Sequence, residues 1–226
     1  MKKILIADDE QDILEILSYN LKAKGFLVET ATNGILAVEK AKLFKPDLII
    51  LDVMMPFKNG VEACRELRLH PDFHQTLIIF LTALNDESSE IKGLESGADD
   101  YLSKPIRPNA LISKVQSLFR RLPERPGSNL SLGDIKINRE SFSVNIGPAS
   151  IILARKEFEL LYLLASKPGK VFLRQEILQQ VWGTDVIVGD RTIDVHIRKI
   201  RQKLNLDIIK TIKGVGYKFE WEDLSN

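Results

Sequence analysis

The chain has 226 residues, with 32 Lys and Arg against 31 Asp and Glu, a net charge of +1 and a single cysteine. Its 44% apolar and 28% charged residues mark a folding chain and exclude a disordered or collagenous one. One cysteine cannot form an internal disulfide, the start MKKILIADDE is too short an apolar run for a signal peptide, and no stretch approaches the roughly 20 apolar residues of a bilayer span. A cytoplasmic protein of one large or two ordinary domains is expected, with no membrane association.

In the first half, short β-branched apolar runs occur at Ile4–Ala7, Leu48–Leu51 and Leu77–Leu81, as strands buried on both faces should read. Weaker strand signals lie at Leu27–Thr30 and Tyr101–Ser103. Helical patterns fill the gaps: Ile13, Leu14, Leu17 and Leu21 share one helical face. Asn33-Gly34, Asn59-Gly60 and Gly97 punctuate the units. Five strands alternating with five helices predict a doubly wound α/β fold around a five-stranded parallel sheet. Residues 122–129, LPERPGSN, read as a linker. Beyond it, strands are expected around Leu132–Asn138, Ser141–Ile146 and Ser150–Leu153. Helices are expected at Lys156–Ser166, Arg174–Trp182 and Arg191–Leu204, and a closing hairpin over Ile208–Trp221. This is an α+β domain, and the expected division is 1–121, a linker at 122–129, and 130–226.

Parallel α/β sheets hold their ligands beyond the C-terminal ends of the strands. There the sequence places Asp8 and Asp9 after the first strand, Asp52 after the third, Thr82 at the fourth, and Lys104 with Pro105 at the fifth. Carboxylates gathered this closely repel unless cations intervene. Lys104 supplies one positive charge, and a hard divalent ion with oxygen ligands supplies the rest; Mg²⁺ suits few carboxylates plus phosphate oxygens. One carboxylate, Asp52 by its central position, then serves as nucleophile toward a phosphoryl group. The competing structural reading is that Asp8, Asp9 and Asp52 cap the helices that follow them.

The motifs IADDE at 6–10, LDVMMP at 51–56, FLTA at 80–83 and GADDYLSKP at 97–105 resemble the receiver domain of two-component response regulators, which has a flavodoxin-like fold. The resemblance implies that Asp52 is the phosphoacceptor and that Asp9, Asp52 and the Met54 carbonyl ligate Mg²⁺, with Asp8 supporting the ion through water. It makes Thr82 and Lys104 catalytic, makes Thr82 and Tyr101 a switch pair, and implies a cis bond before Pro105. On packing grounds alone, Tyr101 is an ordinary strand-edge aromatic.

The near-neutral total hides segregation. Residues 1–121 carry 16 basic and 18 acidic side chains, residues 122–226 carry 16 and 13, and Arg191–Lys218 alone carries eight basic and two acidic. In Arg191–Leu204, Ile193, Ile197 and Ile200 form a core-facing line, with Val195 and most of the basic residues off it. A basic helix face followed by a basic hairpin suits DNA, though charge alone equally suits a solvated surface helix. KEFELLYLLASKPGKVFLRQEIL, QQVWG, RTIDVHIRKIRQKL and TIKGVGYKF resemble the winged-helix effector domain of the OmpR/PhoB family. This implies a recognition helix at Arg191–Leu204 and a wing at 209–221. It implies base readers Arg198, Lys199 and Arg201, backbone contacts from Arg191, His196, Trp182 and Thr211, and Lys213 near the minor groove.

The chain departs from the family pattern where Ala154 replaces a capping Thr and where Lys199 and Lys213 stand in place of Arg, which alone makes the bidentate fork to guanine. Family dimers pair a basic residue on the fourth receiver helix with an acid on the fifth. Glu90 and Ala110 occupy those positions, leaving Asp99 or Asp100 with Lys114 or Arg121 to bridge protomers. The implied function is a phosphorylation-switched, DNA-binding transcription regulator. Its expected partners are a sensor histidine kinase, double-stranded DNA, a second copy of the chain after phosphorylation, and RNA polymerase as a candidate. It is not an enzyme beyond its own phosphorylation and dephosphorylation. Two readings compete: a regulator that binds DNA without phosphorylation, and a phosphohydrolase, which would need an inserted substrate cavity.

Overall fold

The alternation of apolar runs and amphipathic segments sets the first unit of the fold, seen in a computed structural model. The structure describes residues 1–83, 96–120, 129–139, 141–183 and 191–221, without the side chains of Ala83, Arg120 and Arg191. It divides into two compact units, Met1–Gln116 and Ser117–Asn226. No described helix is long and apolar enough to cross a membrane.

Strands β1 (Lys3–Ala7), β2 (Leu27–Ala31), β3 (Leu48–Asp52), β4 (Leu77–Ala83) and β5 (Asp100–Lys104) form one sheet in the order β2-β1-β3-β4-β5. Every pair is parallel. Around it lie helices α1 (Gln11–Ala23), α2 (Gly34–Phe44), α3 (Gly60–Leu69) and α4 (Pro108–Arg120). The expected helix between β4 and β5 falls on 84–95, outside the described residues, together with Glu90. Ile4–Ala7 and Leu48–Leu51 are fully buried, which is why they read as continuous apolar runs rather than alternating ones. On α1 three of the four expected stripe residues, Leu14, Leu17 and Leu21, are buried, and Ile13 is half-buried at its edge.

Asp99 is buried and its Oδ2 accepts from Arg68 Nη2 at 2.8 Å and from the Ile78 amide at 2.8 Å. Arg68 also donates to the carbonyls of Gly97, Phe73 and Thr76. Asp100 is buried against Lys114, 2.5 Å away. Asp99, Asp100 and Lys114, expected to bridge protomers, are thus each paired within the unit in this structure. The two acids lie on the buried stretch entering β5, and Lys114 meets Asp100 from α4. Ala110 is exposed on α4, and Arg121 lies outside the described residues.

In the second unit the expected strand at Leu132–Asn138 is two strands, β6 (Leu130–Leu132) and β7 (Ile135–Asn138). Gly133 at φ +56° turns the chain between them. With β8 (Ser143–Ile146) and β9 (Ala149–Ile152) they form an antiparallel sheet. Helix α5 (Arg155–Ala165) follows. A short strand that the sequence reading missed, β10 (Val171–Leu173), pairs with β12 (Gly216–Phe219), which in turn pairs with β11 (Ile209–Ile212). Helix α6 (Arg174–Ile177) continues as a π-helical turn over Leu178–Trp182, and α7 spans Arg191–Leu204. Ile193, Ile197 and Ile200 face the core as expected; Val195 is also nearly buried, so the apolar face of α7 is wider than the sequence line.

Ala154 at the cap of α5 has no oxygen to offer, but half of a capping box survives: the Glu157 carboxylate accepts from the Ala154 amide at 2.9 Å. Glu157 is buried and also takes Lys203 Nζ at 2.6 Å, tying the start of α5 to the end of α7. Burial alone would raise its pKa, but Lys203, Lys199 and His196 outweigh it and hold the carboxyl below its ordinary 4.5. A depressed native pKa gives stability that is present above that ordinary value and lost as pH falls through the native one. The second unit should therefore lose stability below about pH 4.5, and Glu157→Gln should be less stable near neutrality yet show a flatter acid limb. Thermal unfolding followed from about pH 7 to about pH 3 checks this, and parallel curves for the two proteins would refute it.

Candidate functional site

Four strands end on one rim. Asp8 follows β1, Asp52 ends β3, Thr82 lies near the end of β4 and Lys104 ends β5. Asp8 and Asp52 are buried, whereas Asp9 is exposed. One carboxylate oxygen from each of Asp8, Asp9 and Asp52 lies within 4.8 Å of the others. Lys104 Nζ reaches all but Asp9: it lies 2.9 Å from Asp8 Oδ2, 2.9 Å from Asp52 Oδ1 and 3.3 Å from Glu10 Oε1. The Lys104–Pro105 peptide is cis, as the resemblance implied.

None of the three aspartates caps a helix. Glu10 occupies the cap of α1 without a side-chain bond, and Asn59 caps α3 in a full capping box with Glu62. Asp8 Oδ1 accepts from the Glu10 amide, and Asp52 Oδ2 accepts from the Met54 amide at 2.9 Å. The capping explanation for the acids is thereby removed. Gly60 has a related role that the Asn59-Gly60 signal did not disclose. A Cβ there would sit 2.1 Å from the Asp52 carbonyl oxygen, so only glycine lets α3 start against the end of β3.

Burial pushes the Asp52 carboxyl up, Lys104 pulls it down and Asp8 pushes it up again; the net direction is upward. Burial disfavours the Lys104 ammonium, but Asp52 and Asp8 more than offset this and raise its pKa, so it stays charged. The cluster holds three carboxylates against one lysine, which fits a hard cation taking oxygen ligands. Thr82 is buried. Tyr101 pairs with Phe80 in register and packs on the core beside it. Thr82 lies two residues beyond Phe80, so Thr82 and Tyr101 belong to the same sheet face.

In the second unit the expected DNA set divides. Arg198, Thr211 and Lys213 are exposed and Lys199 is half-buried. Arg201 is half-buried and engaged, donating to the Ile209 carbonyl at 2.6 Å and to Thr211 Oγ1 at 2.9 Å. Trp182 and His196 are 0% and 2% exposed and pack edge to face with centroids 5.1 Å apart, and a His196 ring nitrogen lies 2.8 Å from the Thr192 carbonyl. Both are packed in the core of the second unit in this structure. Trp182 falls with Ile177 and Val181 on the buried side of its helical turn, a periodicity visible in the sequence. The Arg191 side chain lies outside those described.

Sequence reasoning missed a further cluster. Arg174 Nη1 lies 2.7 Å from Asp194 Oδ1, the Tyr217 hydroxyl donates to the same oxygen, and Arg174 Nη2 reaches the Tyr217 hydroxyl at 3.3 Å. The partners are 20 or more residues apart, so no helical spacing announced them.

A parallel sheet with acids and a lysine on its C-terminal rim, followed by a domain with a basic helix and hairpin, defines a receiver joined to a DNA-binding output domain. Residues 4–116 match the response regulator receiver domain, and residues 148–219 match the C-terminal domain of transcriptional regulatory proteins. The phosphate regulon transcriptional regulatory protein PhoB of Rhizobium meliloti is 41% identical over 97% of this chain and 99% of its own. The alkaline phosphatase synthesis regulator PhoP of Bacillus subtilis is 39% identical, with 97% of each chain covered. The solved structure of DrrB, a Thermotoga maritima OmpR/PhoB homologue, is 36% identical over 98% of this chain and all of its own, with a TM-score of 0.51. The chain belongs to the OmpR/PhoB family of response regulators and is a two-component transcription regulator.

Removing the ammonium that lowers the Asp52 pKa should raise it further. In metal-free solution, Lys104→Met should therefore shift the carboxyl carbon titration of Asp52 to higher pH. An unmoved or lowered midpoint would contradict the geometry.

Proposed function

We propose that Asp52 accepts a phosphoryl group from a sensor histidine kinase and that this modification controls binding of the second unit to promoter DNA. The observation that carries the reading is Lys104 Nζ, held 2.9 Å from both Asp8 and Asp52 on the rim of the sheet. An Asp52 oxygen forms the new P–O bond as the donor's P–N bond breaks, and the imidazole departs with the electron pair. Lys104 offsets charge on the phosphoryl oxygens, as fixed cationic groups do in phosphoryl transfer. Asp9, Asp52 and the Met54 carbonyl are the proposed ligands of Mg²⁺, with Asp8 acting through water; the ion supplies charge neutralisation at the transferred phosphoryl group. Thr82 donates to a phosphoryl oxygen, and Tyr101 reports the change on the same sheet face. The chain acts on itself in this step and on no other substrate.

In this reading, 1–121 is the receiver, 122–129 the linker and 130–226 the reader, in the cytoplasm. Phosphorylation favours a homodimer whose two readers occupy successive DNA half-sites, with RNA polymerase as the downstream partner. Arg198, Lys199 and Lys213 meet the duplex, joined by Arg191 and Thr211. The dimer does not rely on Asp99, Asp100 or Lys114, which are paired within one protomer.

The test is DNA affinity with and without a small phosphodonor and Mg²⁺. The wild-type chain should bind a duplex selected from random DNA at least about ten-fold more tightly after treatment, a shift of about 1.4 kcal/mol, and Asp52→Asn should show no change. Equal enhancement in the variant would exclude Asp52 as the phosphoacceptor.

A further inference from the structure

The stretch from Arg191 to Lys218 contains only two acids, Asp194 and Asp207. Asp207 is paired locally with Lys210. Asp194 is on the recognition helix α7, with its side chain 48% exposed. A carboxylate on a surface that meets phosphates repels them, so its presence needs a reason. Its Oδ1 supplies one, because three elements meet there. Arg174 comes from the start of α6, Tyr217 from strand β12 of the hairpin, and Asp194 itself from the first turn of α7. The Arg174 guanidinium also stands 5.3 Å from the centre of the Tyr217 ring. Seven residues further along α7, about 10 Å at helical rise, Arg201 grips the other hairpin strand at Ile209 and Thr211. The hairpin is thus tied to the helix at two heights.

We propose that Asp194 is a positioning residue for sequence-specific DNA binding, setting the separation of recognition helix and wing through Arg174 and Tyr217. The proposal rests on the reading of the second unit as a DNA reader. Its effect falls on geometry more than on folding. The Arg174–Asp194 pair is partly exposed, and such pairs add little stability. The buried Ile193, Ile197 and Phe219 hold helix and hairpin to the core in any case. Specific binding requires helix and wing to engage one duplex together, whereas non-specific binding requires mainly positive charge. Loss of the carboxylate also adds net positive charge to the patch. The proposal therefore predicts opposite signs: weaker specific binding beside unchanged or tighter non-specific binding.

Tyr217 is the decisive position, because at 4% exposed it cannot touch DNA. The full-length wild-type chain, Tyr217→Phe and Asp194→Ala are compared on two probes. One is a duplex selected from a random pool by the wild-type chain, and the other is a scrambled duplex of the same composition. Asp194→Ala should bind the selected duplex about ten-fold more weakly, and Tyr217→Phe about three-fold or more, with no loss on the scrambled one. Melting temperatures should fall by only about 3 °C or less. An unchanged ratio of the two affinities in both variants overturns the proposal. So does an effect confined to Asp194→Ala, which would mean that the carboxylate reads a base directly. A parallel loss on both probes that recovers on cooling would assign the cluster to stability alone and also overturn it. If the wild-type chain selects no duplex, the DNA-binding reading itself fails, an outcome distinct from these.

Discussion

The ammonium of Lys104, 2.9 Å from both Asp8 and Asp52, is the interaction on which the first unit's rim depends. Without it, two buried carboxylates would face each other with Asp9 close by. Two buried like charges cannot both stay ionised at low cost. Lys104 ends β5 and the acids end β1 and β3, so the parallel register that aligns these strands also assembles the charge cluster. Fold and site are one constraint here: a sheet slipped by a residue would separate Lys104 from Asp52. The buried ion pairs of Asp99 with Arg68 and Asp100 with Lys114 fix the entry to β5, and hence the height at which Lys104 emerges.

The second unit uses charge in another way. Of its eight basic residues from Arg191 to Lys218, several are committed within the fold. Lys203 pairs with Glu157, Lys210 with Asp207, Lys218 with Glu220, and Arg201 binds the Ile209 carbonyl. The basic patch is consequently smaller and more ordered than the sequence count implies. Arg198 and Lys213, both exposed, come from the helix and the hairpin turn. A reader built this way gains its selectivity from the placement of a few cations rather than from their number.

How much of this was legible depended on the range of the interaction. The five strands and α1 were readable because burial on both faces, or on one helical stripe, leaves a local period in the sequence. The acid rim was readable because strand ends are local and parallel sheets gather them. The fate of Asp99, Asp100 and Lys114 was not. Whether a charge is offered to a partner or spent within depends on tertiary neighbours such as Arg68, 31 positions from Asp99. The burial of Trp182 has a local period, but its contact with His196 joins two segments and no single-segment pattern reveals it. Strand β10 is three residues long and carries too little pattern to stand out; pairing with β12 defines it.

A switch built on this rim depends on where a phosphoryl group attaches. The full-length chain, treated with a small phosphodonor and Mg²⁺ and then reduced with borohydride to trap an acyl phosphate, can be digested and mapped by mass spectrometry. The account predicts a single trapped site, Asp52, on the peptide that joins β3 to α3. Modification at Asp8 or Asp9 instead, or a phosphoryl group found only on a hydroxyl or imidazole side chain, would contradict it.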